Sequence, residues 1–150
     1  MTASRKTVRD ALAALLATAL VGAGLPAEAV YAYRVADFGK KRSIVTVSGG
    51  GSNHPRFTNQ GNRSTFYLYI HTFVLYSDAA QSWTEANAED QLDLIESTIE
   101  GVLASHRRYA GYWEAIDYAD RSNVVDLDLT EYGGNEYRVE VTPLKIEVFG

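Results

Sequence analysis

The chain has 150 residues, enough for one domain with a sizeable core and too few for a second. Hydrophobic residues make up 46% of it and charged residues 22%, a globular balance that excludes an intrinsically disordered chain. The absence of cysteine removes disulfides, thiolate metal sites and a cysteine nucleophile, and a net charge of −5 argues against a free nucleic-acid binder, which would carry a basic footprint.

Residues 1–29 admit two readings. Arg5, Lys6 and Arg9 ahead of the apolar run 11–25, with Ala27 and Ala29 beyond it, outline a cleaved secretory signal. The same stretch reads as an amphipathic helix that starts after Ser4 or Thr7 and stops at Gly22 or Gly24, with Val8, Leu12, Leu15, Leu16, Ala19 and Leu20 on one face. Asp10 puts an acid at the edge of the apolar segment and Thr18 interrupts it, and both favour the helix. The run also falls short of the roughly 20 apolar residues that a membrane span requires.

Residues 29–35 alternate well enough for a short strand. Asp37, Phe38 and Gly39 then turn the chain into the basic cluster Lys40, Lys41, Arg42, and the β-branched run 44–47 predicts a second strand. Residues 48–64 hold four glycines, a proline and several Asn and Ser residues, so a long loop is expected there, mobile or ordered by a partner. Its Gly-Gly-Gly-Ser run lacks the Lys-Ser/Thr ending and the following helix of a phosphate-binding loop.

The next strand, within 65–77, is apolar on both sides. Phe66, Leu68, Ile70 and Val74 share one face, and Tyr67, Tyr69, Phe73 and Leu75 share the other. Helices can cover one face, which leaves the second to a partner subunit or to the chain's own loops. Tyr67, Tyr69, Phe73 and Leu75 are therefore the candidate subunit-interface residues.

Ser82 or Thr84 caps a second helix whose apolar face runs Ala88, Leu92, Ile95, Ile99, Val102, Leu103, His106. Its other face carries Glu85, Glu89, Asp90, Asp93, Glu96 and Glu100 without a basic residue, which suits a solvated face or a docking surface for a basic partner. Arg107 and Arg108 complement the helix dipole at its end. An aromatic segment follows with Tyr109, Tyr112 and Trp113 around Gly111. Residues 114–130 hold one or two strands, with Val124, Val125, Leu127 and Leu129 apolar. Residues 132–135 form a hairpin turn, and a last strand covers 137–148. In that strand Tyr137, Val139 and Val141 keep one parity while Leu144, Ile146 and Val148 keep the other, so a bulge or edge position is expected at Thr142-Pro143. The fold class is α+β, an antiparallel or mixed sheet with two main helices on one face, in a single domain.

Reactive groups are scattered. His54, His71 and His106 fall in a loop, a strand and a helix, and neither a His-x-x-x-His pair nor a Gly-x-Ser-x-Gly elbow occurs. Asp126 and Asp128 share a strand parity, but a metal site needs more ligands than that spacing supplies. The expectation is a non-enzymatic protein without catalytic residues, metal or cofactor.

Several of these segments together resemble the tail terminator, or tail completion, proteins of long-tailed phages. The resemblance is carried by the opening helix Val8-Arg9-Asp10-Ala11-Leu12, the strand from Phe66 to Tyr76 ending at Asp78, and the helix segment Ala88-Glu89-Asp90-Gln91-Leu92-Asp93-Leu94-Ile95-Glu96. It continues through Tyr112-Trp113 and the closing strand from Tyr137, so it covers nearly the whole chain as a pattern of elements without a signature residue. It implies a structural virion protein made in the host cytoplasm. Such a subunit forms a hexameric ring on the head-proximal end of the tail tube, halts tube polymerisation and offers a docking surface to the head-completion or stopper protein. The implied partners are other copies of the chain, the tail-tube protein and the stopper protein, with DNA only passing through the lumen and no membrane. Arg56, Phe57 and Arg63 in the loop, and Glu89, Asp90 and Asp93 on the acidic helix, are the candidate partner-binding residues; the acidic face could alternatively line the DNA channel. Two further alternatives stay open: a secreted or periplasmic binding module, and a stopper, connector or tail-tube subunit.

Overall fold

The computed structural model describes residues 3–35, 38–39, 41–53, 63–78, 82–119, 126–132 and 134–149, with the backbone alone for residues 53, 126–130 and 132. Ser4 is extended and its hydroxyl accepts the Thr7 N–H at 3.1 Å, which opens helix α1 over Arg5–Leu20. Helical spacing then buries Val8, Leu12, Ala13, Leu16 and Leu20. Thus the helical reading of residues 1–29 describes this segment, and removing it would strip five buried side chains from the core. Gly22 and Gly24 adopt positive φ beyond the helix and turn the chain back, so that the Ala27 N–H reaches the Leu20 carbonyl at 2.9 Å.

Six strands and a second helix follow among the described residues: β1 (Ala29–Tyr31), β2 (Ser43–Asn53), β3 (Arg63–Leu75), α2 (Glu85–Ser105), β4 (Ala115–Tyr118), β5 (Asp126–Tyr132) and β6 (Asn135–Phe149). The sheet order is β1-β2-β3-β6-β4, with β5 also on β6. β1 and β2 are parallel and every other pair is antiparallel, so the sheet is mixed. Since β3 pairs with β6 along its whole length, β4 and β5 divide the other flank of β6, at 144–147 and 135–141 respectively.

Both helices lie on one face, as the sequence predicts. Val8, Leu12 and Leu16 of α1 and Leu92, Ile95 and Ile99 of α2 join Phe66, Leu68, Ile70 and Val74 of β3 and Leu144 and Ile146 of β6 in the main core. Thr84 caps α2, its hydroxyl accepting the Asn87 N–H at 3.2 Å, and His106 ends it, its Nδ1 3.0 Å from the Val102 carbonyl. Beyond that end Trp113 is buried, donating from Nε1 to the His106 carbonyl at 2.8 Å, with the Tyr109 ring edge-on at 5.2 Å. The aromatic segment is therefore the plug that closes the core beneath α2. None of the described helices is long and apolar enough to cross a membrane.

One expectation needs correction and another resolves to one of its alternatives. The loop expected over 48–64 is shorter, because β2 continues to Asn53 and β3 begins at Arg63. Glycine-rich sequence serves here as strand, with a register shift between Gly49 and Ser52. At Thr142-Pro143, where a bulge or an edge position was expected, the β3–β6 ladder runs unbroken through Tyr69↔Pro143, and the edge alternative holds on the other flank, between the ladders of β5 and β4. The Pro143 carbonyl accepts the Ala119 N–H at 3.0 Å, on the flank away from β3. Its ring nitrogen points to that same flank, between the last paired residues of β5 and β4, and so away from the β3 ladder. The parity change instead marks a change of core. Tyr137 and Val139 face a second cluster, while Leu144, Ile146 and Val148 face the helices.

Truncating the Trp113 plug empties a buried site and leaves the part-buried His106 carbonyl without its donor. Trp113→Ala should cost about 3–5 kcal/mol in urea-induced unfolding followed by far-UV circular dichroism, whereas Tyr112→Ala, at a half-exposed position, should cost much less.

Candidate functional site: the half-covered face of the sheet

Among the described residues, the face of the sheet opposite the helices is covered at one end only. Phe38, arriving between β1 and β2, packs on Phe73 at 4.7 Å and edge-on against Tyr137 at 5.3 Å. With Ile44, Leu75 and Val139 they form the second buried cluster. Trp83 seals its margin, donating from Nε1 to the Leu75 carbonyl at 2.6 Å beneath the Arg42 guanidinium. Two of the four candidate interface residues, Phe73 and Leu75, are consequently buried by the chain itself, at 5% and 1% exposure. The chain's own segment between β1 and β2 does at that end what the sequence reading assigned to a partner.

Towards the other end the cover stops. Tyr67 is half-buried and Tyr69 is 38% exposed, and across the ladder they face Lys145 and Pro143, both half-buried. Along β3 the rings form a row: Tyr69 stands 6.3 Å from His71, and His71 stacks on Phe73 at 6.0 Å and 12°. The Nδ1 of His71 is buried without a hydrogen-bond partner among the described residues. Burial, and secondarily the Arg34 charge, lowers the His71 pKa below the usual imidazole range, so the ring is neutral at neutral pH. Tyr69 is thus the exposed member of a ring row whose next two members, His71 and Phe73, are progressively covered.

Close packing by Tyr69 explains the glycines of β2. A Cβ on Gly50 would stand 2.7 Å from a Tyr69 ring carbon and 3.0 Å from the Tyr67 carbonyl oxygen, so only glycine lets the ring lie across the strand. The Arg5 guanidinium of α1 donates to the Gly50 carbonyl at 2.9 Å and ties this edge to the helix layer.

Of the candidate partner-binding residues, Arg56 and Phe57 lie outside the described residues. Arg63 opens β3, where it pairs with Glu147 and sits over the Phe149 ring at 5.7 Å; the ring is half-exposed. Arg63 is thus at the rim of the half-covered face. Glu89, Asp90 and Asp93 belong to the opposite side. Glu89 bridges to Arg138 of β6 at 2.5 Å, whereas Asp90 and Asp93 are exposed. The acidic side of α2 is therefore only partly solvated, since one turn of it is used against the sheet.

Sequence reading missed Glu140. It lies on the helix-facing side of β6 at 3% exposure, beneath Glu96 and Asp93 of α2. Its place in Glu136-Tyr137-Arg138-Val139-Glu140 reads as the polar half of an alternating strand, and only the strand's burial on both faces contradicts that reading. Beside it a shallow groove of about 110 Å³, lined by Glu100, Leu103, Arg107, Ile116 and Tyr118, falls well below the roughly 300 Å³ of a small-molecule pocket. Asp126 and Asp128 stand in register with Val141 and Val139, their side chains outside the described residues. Among the described residues no group of three or more acids and histidines could hold a metal ion.

No protein-family model matches the chain, and no curated protein does.

A methyl group at Gly50 must move the Tyr69 ring and press on backbone. Gly50→Ala should lower stability by about 1–3 kcal/mol and raise the accessibility of Tyr69. Gly51→Ala, which meets nothing within 4 Å, should leave both unchanged; denaturant unfolding and tyrosine-selective nitration provide the two readouts.

Proposed function

We propose that the chain is a self-associating structural subunit, a ring-forming tail terminator at the head-proximal end of a long-tailed phage tail tube. The observation that carries self-association is the uncovered aromatic strip around Tyr67 and Tyr69, left open by a chain that has already used both helices on the other side of the sheet. A ring subunit needs two different surfaces, because a head-to-tail contact joins unlike patches of successive copies. This molecule has an aromatic sheet face on one side and the exposed acids Asp90, Asp93, Glu96 and Glu100 on the other. The resemblance in element order then supports the assignment to a tail terminator.

In this reading the segment after Asn53, with Arg56 and Phe57, contacts the tail tube next to Arg63, and the stopper protein docks on the opposite end of the ring. Acids of α2 that reach the lumen would repel DNA phosphates and let the duplex slide. A stopper, connector or tube subunit would share the ring but occupy another position on the particle, which labelling of intact tails resolves.

The test is association state. The purified chain should scatter light as a discrete multimer and show rings in negative stain, while Tyr67→Glu combined with Tyr69→Glu should leave a single subunit with an unchanged circular dichroism spectrum. A chain that stays a single subunit at high concentration, both alone and mixed with tail tubes, would sink the proposal.

A further inference from the structure

A protonated histidine needs an acceptor or water at both ring nitrogens, because both then donate. His71 lacks this on one side. It stands on β3 between Tyr69, 6.3 Å away, and Phe73, on which it stacks at 6.0 Å and 12°. Its register partners are Thr46 of β2, 1% exposed, and Val141 of β6, half-buried, so neighbours flank the ring across the sheet as well as along its own strand. Its Nδ1 is buried with no hydrogen-bond partner among the described residues. An idle lone pair is tolerated there, whereas an N–H would be a buried donor without an acceptor and would bear its full desolvation penalty. The neutral ring therefore carries its one proton on Nε2, and Nδ1 is the only place left for a second. The charged group that acts on the ring is the exposed Arg34, in the segment after β1, and a cation there opposes a further positive charge. The titratable neighbours Tyr69 on β3 and Tyr31 of β1, in register with Thr46, are phenols. From β6, Lys145 stands opposite Tyr67, and Asp126 of β5 is one strand farther, in register with Val141.

We propose that His71 is a proton-triggered release for the half-covered face: acid drives a second proton onto Nδ1, the imidazole leaves its place between Tyr69 and Phe73, and the ring row comes apart. Burial, and then the Arg34 charge, lowers the His71 pKa, in agreement with a ring that resists the second proton. The unfolded chain takes that proton at the ordinary imidazole value of roughly 6.5 and the folded chain only at lower pH. Stability is therefore full above that value and declines as pH falls through the interval between the two. Tyr69 is held by the row on one side and by the clearance over Gly50 on the other, so departure of His71 frees the ring at the uncovered end. Acid then weakens any contact made through Tyr69, a consequence that rests on the self-association proposed above.

NMR titration of the His71 Cε1 proton in the full chain, from pH 8 to pH 4.5, tests it. The midpoint should lie below the ordinary imidazole range, and the ring resonances of Tyr69 and Phe73 should move with the same midpoint. Urea-unfolding midpoints should fall between pH 7 and pH 5 in wild type and fall less in His71→Phe, which keeps a stacked ring without a titrating nitrogen. His71→Gln serves the same comparison where the phenylalanine variant does not fold. A His71 midpoint at or above the ordinary range, Tyr69 and Phe73 signals that ignore it, or parallel pH profiles for wild type and the folded variant would overturn the proposal. Light scattering over the same range separates this inference from the function proposed above. A mass that drops at the His71 midpoint in wild type and not in His71→Phe supports both. A single subunit at every pH sinks self-association alone, and the NMR midpoint still decides for or against the release. A multimer whose mass ignores the His71 midpoint overturns control of the face by this residue and leaves self-association standing.

Discussion

β3 and β6 pair antiparallel over the full length of β3, from Arg63↔Phe149 to Leu75↔Tyr137, without a register shift. Every other element is placed by that ladder. β2 lies on one side of it, β4 and β5 share the other, and both helices rest on the side chains it directs to one face. A slip of one residue would turn Phe66, Leu68 and Ile70 away from the helices and bring Tyr67, Tyr69 and His71 beneath them. The register is fixed because the two faces of this stretch differ: Phe66, Leu68 and Ile70 lie beneath the helices, and Tyr67, Tyr69 and His71 lie on the other side. Pro143 fits the ladder only because its nitrogen faces the gap between β5 and β4, so the placement of these two short strands follows from the same register.

Much of this was legible from periodicity. The spacing of Val8, Leu12, Leu16 and Leu20, and of Ala88, Leu92, Ile95 and Ile99, marks helices whose buried faces are those observed. The double apolar parity of 66–75 marks a strand that wants cover on both faces, and β3 is central in the sheet, with its second face covered only from His71 to Leu75. What composition hid was glycine in a strand. Gly49-Gly50-Gly51 reads as loop by its freedom, yet Gly50 is in the sheet because the Tyr69 ring occupies the space of a side chain, a long-range contact that no local pattern announces. Phe38 was hidden for the same reason. It sits in a turn-like stretch, and nothing near it in sequence says that it will cover Phe73 and Tyr137.

The acidic helix shows the limit of reading one element alone. A run of acids without bases suggests a solvated face or a docking strip, and for Asp90 and Asp93 exposure agrees with that. Across the helix layer, however, β6 supplies Arg138 to Glu89 and buries Glu140 at 3% exposure. The ion pair fixes where the helix begins to lie on the sheet. Neither feature is visible until the helix and the last strand, far apart in the chain, are brought into contact.

The distribution of cover over the sheet follows from the lengths of its connections. The segment between β1 and β2 is long enough to send Phe38 across one end, and Trp83, just before α2, closes the same end. Nothing comparable reaches Tyr67 and Tyr69 among the described residues. The uncovered strip is thus not a defect of the core, which is complete without it. It is also not a random scatter of exposed apolar groups, since Tyr69, His71 and Phe73 form one continuous row that passes from open to buried. A partner seated on Tyr69 would extend an existing aromatic cluster instead of starting a new one, adding contacts to side chains already held in place by Phe38 and Gly50. Such pre-ordering would reduce the entropy lost by anything that binds there, which is the physical basis of the association proposed for this face.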